Sequence, residues 1–245
     1  MGMGAKTIEQ QLRDAAKCGK TDLVCDLLAH GADAKHAGPF GDTALTLAAE
    51  KGHAACVRVL LTHSDPASRA KVMSDFQPDK AGKLRSNRLD MKSDLGHTAL
   101  MQAAFYGHAE CVKLLLPVSD ARSTGGVCAE TALMLAASEG HADCVALLLP
   151  ASDPKFRDRH TDSTALIKAA QDNHLAAVRA LLPHSDIGAK DMYQLTASDW
   201  AKQQGHPKLG KFIDAYELAL SEMTQIAAAV GMGARQVGKG GALRV

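Results

Sequence analysis

The chain has 245 residues, a formal net charge of +1 and 46% hydrophobic residues. A near-neutral balance removes any global attraction to nucleic acid or anionic membrane, and no apolar stretch approaches the roughly 20 residues needed to span a bilayer. Five Phe, three Tyr and one Trp are few for this length, which points to a core built from Ala, Leu and Val.

In chain order, residues 1–11 lack the apolar core of a secretory signal. Lys6 stands where a myristoylation motif wants Ser or Thr. Disorder is expected over residues 1–6. Thr7-Ile8-Glu9-Gln10 reads as a capping box that opens a first helix. A triplet then recurs as Thr43-Ala44-Leu45, Thr98-Ala99-Leu100, Thr131-Ala132-Leu133 and Thr164-Ala165-Leu166, the last three at intervals of 33 residues. Self-similarity at that period marks a stacked array of helix–turn–helix units, each too small to bury its own apolar face.

The clearest unit runs from Thr131 to Pro150. Thr131 is the expected N-cap, and Ala132, Leu133, Ala136 and Ala137 share one helical face. Gly140 ends that helix in a left-handed turn. A second helix carries Cys144, Val145, Leu148 and Leu149 inward, and Pro150 helps to stop it.

Alignment on the turn residues Gly19, Gly52, Gly107, Gly140, Asn173 and Gly205 gives intervals of 33, 55, 33, 33 and 32, hence six units with about 22 extra residues between the second and third. That insertion, within residues 62–94, holds seven basic residues (Arg69, Lys71, Lys80, Lys83, Arg85, Arg88 and Lys92) and five aspartates, without apolar periodicity. It reads as a solvated loop or as a finger reaching over the binding surface. In the last unit, Ser198 takes the place of Leu133, and Trp200, at the position of Leu135, is expected to pack against the fifth unit.

From Ala215, the residues Tyr216, Ala219, Leu220, Met223, Ile226 and Ala227 recur at helical spacing. This predicts an amphipathic helix over 215–230 that caps the stack or binds a partner or a second copy. A disordered Gly-rich basic tail is expected over 231–245, with Arg235, Lys239 and Arg244.

The triplets, the alanine pairs (Ala48-Ala49, Ala103-Ala104, Ala136-Ala137, Ala169-Ala170) and the Gly-His turns (Gly52-His53, Gly107-His108, Gly140-His141, Gly205-His206) resemble the ankyrin repeat. The resemblance covers residues 7–214. Two features depart from that pattern: Ala replaces the proline of the first helix, and Gly-Ala-Asp survives only at Gly31-Ala32-Asp33. Elsewhere Ser-Asp follows the second helix, so these linkers should leave through Pro and Ser/Asp turns. The resemblance implies an all-α solenoid with β-turn fingers, a non-catalytic role in protein–protein interaction and a concave binding face.

Carried onto this sequence, the finger-tip positions are Phe40, Asp42, Leu95, His97, Cys128, Glu130, Thr161 and Ser163. The helix-end positions are Glu50, Lys51, Phe105, Tyr106, Ser138, Glu139, Gln171 and Asp172. Phe105-Tyr106 stands out as an adjacent aromatic pair in the middle of the array, where exposed rings make binding hot spots. Alanine at both positions is expected to abolish partner capture with little change in melting temperature.

His53-Cys56, His108-Cys111 and His141-Cys144 each show a spacing able to chelate. Each pair belongs to its own layer, however, whereas zinc needs ligands converging at about 2.0–2.3 Å. The resemblance gives the Gly-His turn a structural role, hydrogen bonding between units. No metal, cofactor or catalytic residue is therefore expected, and no phosphate loop, nucleophile elbow or HExxH helix occurs.

Equivalent cysteines on separate units lie too far apart for disulfides, so reduced thiols in a cytoplasmic, monomeric protein are expected. Two other readings remain: delivery into a host cell with the same binding mode, and nucleic-acid binding through the basic insertion and tail.

Overall fold

The structure, a computed structural model, describes residues 6–63 and 96–237, with side chains placed through residue 226. Among these residues, six helical pairs follow one another. They are α1 Ile8–Lys17 and α2 Thr21–Ala29, α3 Ala44–Glu50 and α4 Ala54–His63, and α5 Ala99–Phe105 and α6 Ala109–Leu115. Then come α7 Ala132–Ser138 and α8 Ala142–Leu148, α9 Ala165–Gln171 and α10 Leu175–Leu181, and α11 Ala197–Gln203 and α12 Pro207–Val237. The first helices pack in the order α1, α3, α5, α7, α9, α11, and the second helices α2, α4, α6, α8 and α10 form a layer behind them. This is the expected all-α solenoid.

Every first helix starts at a threonine. Thr7, Thr43, Thr98, Thr131, Thr164 and Thr196 are extended, and each hydroxyl accepts from the backbone N–H three residues on. This satisfies one of the orphan donors of the first turn. In three units a polar side chain returns the bond: the backbone N–H groups of Thr7, Thr43 and Thr196 donate to Gln10, Thr46 and Asp199.

The middle units place Met101, Met134 and Ile167 at that position instead, each buried. Leu135 is buried as well, so the apolar surface of α7 is wider than the single face read from the sequence. A first helix in mid-stack has a neighbour on either side and the second layer behind it, leaving only a narrow strip to solvent.

In the second helices, Cys56, Cys111, Cys144, Val57, Val112 and Val145 are fully buried. Leu149, expected to point inward, is only half-buried, because α8 ends at Leu148 and a 3-10 turn over Leu149–Ala151 takes in Pro150. The Ser-Asp linkers behave as expected: Asp120 and Asp153 each accept, at 2.9 Å, from the backbone N–H two residues on.

The turns between paired helices explain the Gly-His signature. Gly52, Gly107 and Gly140 have φ of 73°, 75–76° being the values of the other two, and the histidine ring of the following unit lies against each. A Cβ on these glycines would stand 2.5, 2.5 and 2.3 Å from Nδ1 of His108, His141 and His174. The rings also bond across units: Nε2 of His53, His108 and His141 donates to the carbonyls of Lys17, Glu50 and Phe105 at 3.1, 3.0 and 3.0 Å. Asn173 takes the same left-handed turn with φ 62°.

The His108–Glu50 bond and the packing of α3 on α5 and α4 on α6 join the second unit directly to the third. The stack is therefore continuous from the second unit to the third. The insertion itself, with its seven basic residues and Leu95, lies outside the described residues.

At the C-terminal end the structure corrects the expected boundary. The helix expected from Ala215 is the sixth unit's own second helix, which starts at Pro207 and continues past Gly231 to Val237. No glycine or proline falls between Lys211 and Val230 to stop it. Leu209 and Ile213 are buried against the last unit, and Phe212 and Tyr216 are half-buried. Ser198 is buried, with its hydroxyl donating to the Gly210 carbonyl at 3.2 Å and to the Asp214 carboxylate. Capping of the stack ends at Tyr216, since every residue from 217 to 226 is exposed.

Candidate functional site

The segments that precede the threonine caps reverse the chain into fingers along one edge of the first-helix layer. In the fourth unit, β1 (Thr124–Gly125) pairs antiparallel with β2 (Glu130–Thr131), and the tip turns through left-handed Gly126 and Ala129.

The fifth and sixth fingers are each organised by a buried aspartate. Asp158 accepts from the N–H of His160 (2.8 Å) and Thr161 (2.6 Å) and from the Thr161 hydroxyl (2.7 Å). Asp191 accepts from the N–H of Tyr193 (2.9 Å) and Leu195 (3.1 Å) and from the indole N–H of Trp200 (2.6 Å). Trp200 also meets the Tyr193 ring edge-on at 6.0 Å. Its indole N–H therefore ties α11 to the finger of its own unit, while the side chain is half-buried against the core.

Neighbouring fingers are bonded to one another. Arg159 N–H donates to the Cys128 carbonyl at 2.9 Å, Met192 N–H to the Thr161 carbonyl at 3.0 Å, and Arg157 Nη1 to the Lys190 carbonyl at 2.6 Å. Lys168 of α9 adds a charged tie, with Nζ 2.7 Å from Glu130 and 3.1 Å from Asp158.

Burial alone would raise the Asp158 carboxyl, but the Thr161 bonds and the Lys168 ammonium outweigh it and hold the group below the usual carboxylate range. Burial likewise pulls Lys168 down, while Glu130 and Asp158 more than reverse this and leave its pKa raised. The tips of units four to six thus form one preorganised edge.

The second, fourth and sixth fingers expose apolar side chains, whereas the fifth exposes Arg159, His160 and Asp162. Phe40 is 70% exposed, Val127 93%, Tyr193 57% and Met192 54%. Of these, the sequence pointed only to Phe40. Tyr193 stands three residues before Thr196, as Phe40 does before Thr43 and Cys128 before Thr131, so extension of the pattern into the sixth unit would have found it. Val127 carried no such signal: in the tight reversal of Gly126–Ala129, Cys128 is half-buried and the preceding residue faces outward. The other tip positions are less open. Asp42, His97, Glu130 and Thr161 are half-buried and Ser163 is buried; burial lowers the His97 pKa.

The helix-end positions form a second row, at the far ends of seven-residue helices and about 10 Å from the fingers at 1.5 Å rise per residue. The structure therefore separates the predicted residues into two edges. Between them Gln102 and Leu135 are buried and Lys168 is committed to the fingers.

In the second row Lys51 pairs with Glu50 at 2.8 Å, and Ser138, half-buried, donates to the Leu135 carbonyl at 3.0 Å. Glu139 and Asp172 are exposed and Gln171 is half-buried. The aromatic pair divides. Phe105 is half-buried against the core and its carbonyl receives the His141 bond. Tyr106 is 45% exposed, edge-on to Phe105 at 5.0 Å and stacked on His108 at 6.4 Å, with Lys51 Nζ 6.0 Å from its ring. Only Tyr106 is available as a contact residue.

The three His-Cys pairs point apart, the rings toward the preceding unit and the thiols into the core. Burial pushes the Cys111 and Cys144 thiols up to about 11. Among the described residues, no group of three or more His, Cys, Asp or Glu is placed to hold a metal ion, and no helix is long and apolar enough to cross a membrane.

Comparison with known families gives three overlapping matches to a family described as ankyrin repeats (3 copies), over residues 12–117, 72–158 and 133–216. No curated protein matched the chain.

Proposed function

The chain belongs to the ankyrin repeat family, and from that premise we propose that it is a non-catalytic adaptor, scaffold or inhibitor that holds a partner protein on its concave face in the cytoplasm. Ankyrin repeats in general mediate protein–protein interaction and are non-catalytic as a family. The observation that carries the finer reading is the row of exposed apolar side chains on the finger tips, Phe40, Val127, Met192 and Tyr193. Exposed aromatics and large aliphatics on a preformed surface are what binding hot spots are made of, and bonds between fingers four to six reduce the ordering that association would otherwise require.

The helix-end row adds Tyr106 and the exposed acidic groups of Glu139 and Asp172, which favour a polar or basic segment of the partner at that edge. A host-cell effector would use the same surface, so that reading differs in location alone.

The test compares protein capture from lysate by the wild type and by Phe40→Ser/Val127→Ser, two exposed positions. A partner retained by the first and lost by the second, at matched melting temperature, is the expected result. Equal retention by both would overturn the finger-tip reading. Loss of binding with a steep salt dependence would instead point to nucleic acid.

A further inference from the structure

Helix α12 is longer than the array needs. Its 31 residues span about 46 Å at 1.5 Å per residue, against about 10 Å for the seven-residue α11. Leu209 and Ile213 are buried against the last unit and Tyr216 is half-buried. Alternating steps of four and three residues separate these positions, and the same alternation runs on through Leu220, Met223, Ala227, Val230, Ala234 and Val237.

One seam therefore begins as the contact with the array and continues beyond it. Between Tyr216 and residue 226 nothing in the chain covers it: Leu220 is 46% exposed and Met223 68%, and Ile226 beside them is 63% exposed. A 3.5-residue apolar period sustained over four heptads is the pattern of a helix that winds around another helix.

The residues along the extension select the partner. Its first half, residues 217–226, puts bulky Leu220 and Met223 on the seam, with Ile226 beside it. Its second half, residues 227–237, has Ala227, Gly231, Gly233 and Ala234, with Val230 and Val237. A parallel pair would set bulky on bulky and small on small, leaving the second half underfilled. An antiparallel pair matches them. In one register Met223 falls level with Ala234 of a second copy, Leu220 with Val237, and Ala227 with Val230.

Charge agrees with this direction. Glu217 and Glu222 lie in the first half and Arg235 in the second, and the same register brings Glu222 level with Arg235. An antiparallel pair also holds the two arrays at opposite ends of the coil, where their bulk does not collide. We propose that residues 217–237 of two copies form an antiparallel coiled coil, making the protein a homodimer in place of the monomer expected from its sequence.

Sedimentation equilibrium of the full chain tests this over about 1 to 100 µM, a range that brackets micromolar association. The wild type should reach twice the 25.8 kDa chain mass. Leu220→Glu/Met223→Glu should lose the dimer while the array keeps its cooperative unfolding, because both side chains are exposed in the single chain. Orientation follows from cross-linking in a background with Cys18→Ser. Met223→Cys mixed with Ala234→Cys should give a disulfide-linked dimer, and neither variant should do so alone. A wild type that stays monomeric throughout, a charged variant that dimerises as well as wild type, or self-cross-linking by Met223→Cys would each overturn the proposal.

Discussion

Replacing Gly107 with alanine probes the contact that locks the third unit to the fourth. Gly107 has φ 76°, where a residue with a Cβ is disfavoured by about 1–2 kcal/mol. The new Cβ would stand 2.5 Å from Nδ1 of His141, so the ring must withdraw and its 3.0 Å bond to the Phe105 carbonyl is lost, costing about 0.5–1.5 kcal/mol. The two effects give a total of about 1.5–3.5 kcal/mol. His141→Ala alone should cost about 0.5–1.5 kcal/mol for that bond, plus whatever packing its ring provides. In the double variant the clash disappears and the bond is counted once, so its cost should fall short of the sum by about 1 kcal/mol, well beyond the ~0.5 kcal/mol scatter of independent sites. Urea denaturation followed by far-UV circular dichroism gives all four corners of this cycle. Additive costs, or a Gly107→Ala penalty under about 1 kcal/mol, would refute the argument that this glycine is fixed by the neighbouring histidine as well as by its own turn.

The aromatic pair should separate in the same assay: Phe105→Ala, half-buried against the core, should cost about 1.5–3 kcal/mol, whereas exposed Tyr106→Ala should stay within about 0.5 kcal/mol. A comparable cost for both would contradict the division of roles. Lys168→Met leaves buried Asp158 without its ammonium and should destabilise by about 1–3 kcal/mol near neutral pH. Because the Asp158 pKa is lowered in the fold, its contribution is present above the ordinary carboxylate range and is lost as pH falls through the folded value. The raised Lys168 pKa gives a contribution that is present below the ordinary lysine value and is lost as pH rises through the folded one. Unfolding free energies of wild type and Lys168→Met should therefore converge toward both extremes of pH, and a constant difference from acid to base would refute the coupling. A thiol reagent at neutral pH should label exposed Cys18 first, with Cys56, Cys111 and Cys144 reacting only on unfolding; rapid labelling of all three in the folded protein would contradict their place in the core.

The repeat made most of the fold legible. Threonine caps, alanine pairs and turn glycines are local devices, so together they located the six units and their turns. What escaped depended on neighbours that a local pattern does not contain. Met134 and Leu135 are buried because α7 lies between α5 and α9, and the bond from the Trp200 indole N–H to Asp191 depends on a carboxylate that the finger buries. Val127 is exposed by the geometry of a single turn, and Phe105 was assigned to the surface because position on the helix end does not reveal what packs beneath it. The boundary at Ala215 was misplaced because the packed and projecting parts of α12 share one continuous seam.

A photoreactive phenylalanine analogue placed at Val127, and separately at Leu175 on the second-helix layer, reports which face of the array holds the partner. Both positions are exposed, and they belong to different faces of the array. Binding on the concave face predicts a discrete protein adduct from Val127 and none from Leu175. An adduct from Leu175 with none from Val127 would move the partner to the opposite face and contradict concave-face binding.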